Sequence, residues 1–93
     1  MNFKHENNRI FIENEDGDII AEATFPVLNE EVVNINHTFV DPSLRGQGVA
    51  GKLMLEVAKK LRKEKKKAMI SCSYAVKWFD KHEEYKDVVY RSK

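Results

Sequence analysis

Three glycines within six residues, Gly46, Gly48 and Gly51, stand between a β-rich segment and an amphipathic helix, and they constrain the fold more than any other feature of the chain. Glycine in a helix costs about 1 kcal/mol relative to alanine, so a helix that starts among three of them must need them there. Glycine is needed where the backbone takes positive φ or where a ligand approaches it closely. The first turn of a helix also exposes N–H groups without intrahelical partners, and these carry partial positive charge. Residues 45–52, Arg-Gly-Gln-Gly-Val-Ala-Gly-Lys, therefore read as a turn suited to phosphate or pyrophosphate.

The flanks fix the local architecture. Residues 32–40 alternate with period two, which predicts one strand with Val33, Ile35, His37 and Phe39 on one face and Asn34, Asn36 and Thr38 on the other. Asp41, Pro42 and Ser43 end it, because proline cannot continue a ladder and Asp and Ser favour turns. From about Gly48 to Lys65, Val49, Leu53, Val57 and Leu61 form a stripe at three- and four-residue spacing, with Ala50, Met54 and Ala58 beside it, and this predicts a helix. Residues 68–73 read as a short buried strand, parallel to the first and joined to it in one right-handed βαβ unit. Residues 74–82 predict a second helix with Val76, Trp78, Phe79 and Tyr85 turned inward, and residues 87–90 a last strand.

Upstream, residues 9–13 and 19–25 flank the turn 14–18, where Asp16-Gly17 supplies the positive φ angles of a tight hairpin. A shorter strand at 3–5 pairs through Asn7-Asn8, and Pro26 marks an edge or bulge before Leu28. The expected class is α/β of the α+β kind. One domain spans 1–93, with a mixed sheet of antiparallel hairpins followed by one βαβ unit and helices on both faces.

The formal net charge of +1 conceals an acidic first third and a basic run, Lys59, Lys60, Arg62, Lys63, Lys65, Lys66 and Lys67. No aromatics interleave those lysines as base stacking would require, so a solvated helix end is preferred to nucleic-acid binding. The start is polar and no apolar run approaches about 20 residues, so no membrane partner is expected and a cytoplasmic location is. The single cysteine, Cys72, offers neither an internal disulfide nor a CxxC spacing, and no metal is expected.

Three signatures overlap on the glycine turn. Gly46-x-Gly48-x-x-Gly51 matches a dinucleotide fingerprint, but the acidic residue about 20 positions on is replaced by Ile70-Ser71-Cys72-Ser73. Gly46-x-x-x-x-Gly51-Lys52 matches most of a P-loop, but Leu53 stands where a hydroxyl should hold magnesium. The third signature, Val40-Asp41-Pro42-Ser43-Leu44-Arg45-Gly46-Gln47-Gly48-Val49-Ala50, resembles the V-x-P-x-x-R-G-x-G-V-A segment of the GNAT N-acetyltransferase superfamily. Cys72-Ser73-Tyr74 followed by Trp78, Phe79, His82, Glu83, Tyr85 and Asp87 resembles the C-terminal half of its minimal, single-domain branch, sometimes called YjdJ-like.

The resemblance implies an acetyl-CoA-dependent N-acyltransferase acting on an unidentified amine. It places coenzyme A on Arg45, Gly46, Gln47, Gly48, Val49, Ala50, Gly51 and Lys52, with pantetheine along Phe39 and Val40 and an oxyanion donor among their amides. Many relatives carry a glutamate on the central strand, but residues 32–40 contain no carboxylate, and His37 is the titratable group there. An imidazole with an ordinary pKa near 6.5 suits a base, although a histidine sharing a face with Val33 and Ile35 also reads as a core residue. Cys72 reads equally as a nucleophile and as a small buried side chain. Tyr74 is the candidate acid for the leaving thiolate. A coenzyme A binding module without transferase activity, and a basic RNA or DNA binder, stay open as alternatives.

Overall fold

In the computed structural model, which describes residues 2–90, the hairpins form where the alternation places them. Strand β1 (Lys4–Glu6) turns at Asn7-Asn8 into β2 (Arg9–Glu13), which pairs antiparallel with β3 (Ile19–Thr24). The second turn is wider than the tight form expected. Gly17 alone in it takes positive φ, and the Asn14 side chain accepts from the amides of Asp16 and Asp18, a local mimic of a backbone turn.

The segment expected as one strand is two. Strand β4 (Val32–Ile35) pairs parallel with β6 (Lys67–Ile70), whereas β5 (His37–Val40) pairs antiparallel with β3, and Asn36 lies between them. Asn36 is tied to β3 at the break, its N–H donating to the Thr24 carbonyl (3.3 Å) and its side-chain oxygen accepting from the Thr24 hydroxyl (2.6 Å). One residue outside the ladder reverses the parity of everything after it. Val33 and Ile35 are fully buried, but past the break the inward positions pass to Thr38 and Val40, the cross-strand partners of Ala23 and Ala21. His37 and Phe39 therefore lie on the opposite face and are exposed, so the expected face shared with Val33 and Ile35 does not exist.

Helix α1 (Val49–Lys63) buries the anticipated stripe of Val49, Leu53, Met54, Val57, Ala58 and Leu61. Together with Ile10, Ile12, Ala21 and Ala23 from the hairpin and Val33, Ile35 and Ala68 from the parallel pair, it makes one cluster. Helix α2 (Ser73–Lys81) adds Ala75, Trp78 and Phe79 to that same cluster. Val76, expected inward, is exposed, because a helix starting at Ser73 and anchored by Trp78 and Phe79 turns Ala75 to the sheet instead. Both helices contribute to this one apolar cluster, while Phe39 and Met69, outside it, stay 38% and 47% exposed.

Two further expectations are corrected. Residues 87–90 form no strand: a kinked 3-10 stretch (Glu83–Val88) leads into a single parallel bridge between Val89 and Ala68. Arg62 fastens this stretch to α1 through two bonds to Asp87 (3.1 and 2.6 Å) and a position 4.2 Å above the Tyr85 ring. Cys72 lies beyond β6, at the N-cap of α2 rather than on the parallel strand. Among the described residues no helix is long and apolar enough to cross a membrane.

Leu53 has no exposed surface and sits at the centre of the α1 stripe. Leu53→Ala is expected to lower unfolding free energy by about 3 kcal/mol, read as a shifted denaturation midpoint at unchanged slope.

Candidate active site

The glycine turn is built from short local bonds. Asp41 accepts from the Ser43 amide (2.9 Å), and the Ser43 contacts hold its carboxyl below the usual carboxylate range. Leu44 donates to Asp41 (2.9 Å) and Arg45 to Pro42 (3.1 Å), closing a single 3-10 turn. Gly46 (φ 81°) and Gly48 (φ 69°) then take left-handed conformations that side chains rarely adopt, and Gly48 becomes the N-cap of α1 with no side chain capping the helix. Lys52 makes the first helical bond, to the Gly48 carbonyl (3.1 Å). Among the described residues, the N–H groups of Gly46, Gly48, Val49, Ala50 and Gly51 have no hydrogen-bond partner.

These amides border two concavities that meet at Gly48. One, of about 310 Å³, is lined by Val40, Leu44, Arg45 and the turn itself; the other, of about 680 Å³, lies between α1 and α2 beside Lys52, Tyr74 and Trp78. Gly51 has a different role from the other two. Its φ is ordinary, and a Cβ there would stand 3.6 Å from the Tyr74 hydroxyl and 3.9 Å from the Trp78 ring nitrogen, ordinary contact distances, so α2 packs against this position with room for a methyl group and little more. Val49 offers only its amide, since its side chain is in the core.

Where β4 and β6 stop pairing, the Ile35 carbonyl accepts from both Ser71 and Cys72 (3.1 Å each), and beyond that point the chains part. On an antiparallel strand, N–H groups two residues apart point to the same edge. Asp41 donates to Ile20 of β3, so Phe39 and His37 also aim their amides at β3. Thr38 and Val40 present theirs to the cleft that opens towards α2. Of the two amides expected to meet an oxyanion, Val40 is the one on this edge and Phe39 is not.

Cys72 closes the cleft from the other side, its sulfur 3.5 Å from the Thr38 hydroxyl. Partial burial pushes the thiol up, but the Thr38 hydroxyl and the amides of Ala75, Tyr74 and Thr38, facing the sulfur, outweigh it and leave the pKa below the ordinary thiol value. The amides of the first turn of α2 act here through their field, since no hydrogen bond caps that helix. Tyr74 shifts the other way: burial and the adjacent Cys72 charge raise its hydroxyl above the usual value.

His37 does not join Cys72 and Tyr74, because the parity reversal at Asn36 puts it on the outer face of β5. Its Nε2 lies 3.9 Å from Oε1 of Glu22, whose other oxygen binds Nε of Arg9, itself 4.1 Å above the Phe11 ring. A carboxylate does stand beside His37, that of Glu22. It comes from β3, directly opposite Phe39, and only the β3–β5 register reveals it.

The sequence model for the GCN5-related N-acetyltransferases matches residues 9–88. The chain belongs to the GCN5-related N-acetyltransferase family. It is similar over 99% of its length, at 32% identity and TM-score 0.79, to 90% of a GCN5-like candidate N-acetyltransferase of Staphylococcus aureus whose structure was determined by NMR. Two crystal structures share the fold at 18% identity. One is a Mycobacterium tuberculosis protein in complex with coenzyme A (TM-score 0.63, 82% of this chain on 47% of that one). The other is a GNAT family acetyltransferase of Elizabethkingia anophelis with acetyl-CoA bound (TM-score 0.59, 83% on 51%). The chain spans about half the length of these two. No curated protein matches the sequence.

In this GCN5-related protein the basic run lies away from the glycine turn. Lys59, Lys60 and Lys63 border a separate hollow with His5 and Glu56, and Lys60 is paired with Glu64 (2.8 Å). Among the described residues no cluster of metal-ligating side chains occurs. The rate at which iodoacetamide alkylates Cys72 is expected to rise with pH about a midpoint below that of an ordinary, unperturbed thiol. Thr38→Val should move that midpoint up; an unmoved midpoint would show that the Thr38 hydroxyl does not stabilise the thiolate.

Proposed function

We propose that this chain transfers the acetyl group of acetyl-CoA to an amine. The observation that carries the reading is the set of unpartnered amides at Gly46, Gly48, Val49, Ala50 and Gly51, held around a left-handed helix N-cap between two concavities. Such amides favour a doubly phosphorylated carrier by direct bonds and by the helix dipole. Coenzyme A and acetyl-CoA bound to two proteins of the same fold support the assignment of that carrier.

In this reading the pyrophosphate sits on the turn with Arg45 beside it, Lys52 stands where the turn opens into the groove between α1 and α2, Gln47 lies at the rim, and pantetheine runs along the free edge of β5 past Val40. The thioester then lies in the cleft, with the Val40 amide as donor to its oxyanion. An amine arriving across the outer face, past Phe39, forms its bond to the thioester carbon while the carbon–sulfur bond breaks. His37, beside Glu22, takes the amine's proton, and Tyr74, kept protonated by burial and by Cys72, returns one to the departing thiolate.

The lowered Cys72 thiol favours a second route through the same site. Its thiolate attacks the thioester carbon, expels coenzyme A thiolate and holds the acetyl group until the amine displaces it and frees the cysteine again. Intact mass after a single turnover separates the routes: an acetyl gain on wild type that vanishes in Cys72→Ser supports the covalent one, and no gain the direct one. With a panel of amines and peptides, release of free coenzyme A thiol above the blank is the expected result. Saturable acetyl-CoA binding with no thiol release would make the chain a binding module, and absence of binding at millimolar acetyl-CoA would overturn the reading.

A further inference from the structure

The groove between α1 and α2 gathers three lysines that no ion pair uses. Lys77 and Lys81, four residues apart, share one face of α2, and Lys52 meets them from the first turn of α1. Among the described residues none of the three forms a salt bridge, whereas Lys4 and Lys60 are each paired with a glutamate. Glu84 is the one acid on the groove's rim. Like charges around one concavity repel one another and raise the local concentration of anions. The wall between them is aromatic: Trp78 is buried to 5% exposure, with the His82 ring stacked on it at 3.9 Å and 10°.

Position adds to charge. The groove adjoins the amides of the glycine turn through Gly48 and Gly51, so a molecule whose pyrophosphate rests on those amides has one end in this groove. Coenzyme A carries, besides its pyrophosphate, a separate phosphate on the 3′ position of its ribose, next to a flat purine. The lysines match the phosphate, and the His82 ring, stacked on buried Trp78 and lining the groove, is the flat surface beside it.

The geometry points to Lys52, Lys77 and Lys81 as the residues that recognise the 3′-phosphate of the adenosine and make the protein distinguish coenzyme A from its 3′-dephospho form. This rests on the proposed reading of the glycine turn. The lysines concerned are not those of the basic run at the far end of α1 but ones that the sequence scatters over two helices.

Calorimetric titration of the full chain with coenzyme A and with 3′-dephospho-coenzyme A tests it. The three lysines together give coenzyme A about a tenfold tighter dissociation constant at low salt, and added salt narrows the gap. The double variant Lys77→Ala, Lys81→Ala should bring coenzyme A close to its dephospho form and leave affinity for that form unchanged. Both positions are exposed on α2, and an unaltered thermal midpoint confirms that the variant folds. Equal affinity of wild type for the two compounds overturns the inference while leaving the pyrophosphate site standing, as does a preference that survives in the double variant. Binding of neither compound overturns both.

Discussion

The Ile35 carbonyl, shared between the amides of Ser71 and Cys72, is the bond on which the candidate site depends. Parallel pairing between β4 and β6 ends there, and Asn36 drops out of the ladder and hands the rest of the strand to β3. The outcome is a sheet that divides at its centre. One arm leads through β5 to the glycine turn, the other through Cys72 into α2. Without that division the Val40 amide would belong to a ladder, the Cys72 sulfur would lie along a strand, and the two helix starts would not face a common space.

Each helix start uses its unsatisfied amides differently. At α1 two left-handed glycines remove side chains and leave the backbone bare, whereas at α2 a cysteine occupies the corresponding place and its sulfur takes the field of the amides. The same physics of a helix N-terminus is therefore open to an external anion in one case and acts on an internal thiol in the other. The outer face is organised otherwise, by ion pairs such as Lys4 with Glu13 and Arg9 with Glu22, which settle charge over Phe11. Exposed pairs of this sort add little to stability. Among the described residues Arg45 of the glycine turn and the lysines of the α1–α2 groove take part in none of them.

What the sequence disclosed follows from which features are local. The α1 stripe, the hairpin at Asn14 and the glycine turn depend on residues within a few positions of one another, and they form as the periodicity and turn chemistry dictate. The family resemblance rested on the same contiguous stretch. Parity beyond Asn36 was not legible, because period-two alternation runs unbroken through residues 32–40 and the break is imposed by two different pairing partners, β6 and β3. The misplacement of His37 and Phe39 follows from that one slip, and Glu22 reaches their face only through the β3–β5 register, which no local pattern shows. Val76 and Cys72 were misread for a related reason: where a helix begins decides its inward face, and α2 begins one residue earlier than its aromatic pattern suggests.

Gly51 carries a consequence that concerns the spacing of the helices. A methyl group there would just touch the Tyr74 hydroxyl and the Trp78 nitrogen, and anything bulkier would wedge α2 away from α1. The crevice thus tolerates one added methyl group and, like the jaws of a caliper, must open for anything more. A single position on α1 in this way governs how large a molecule fits between the helices.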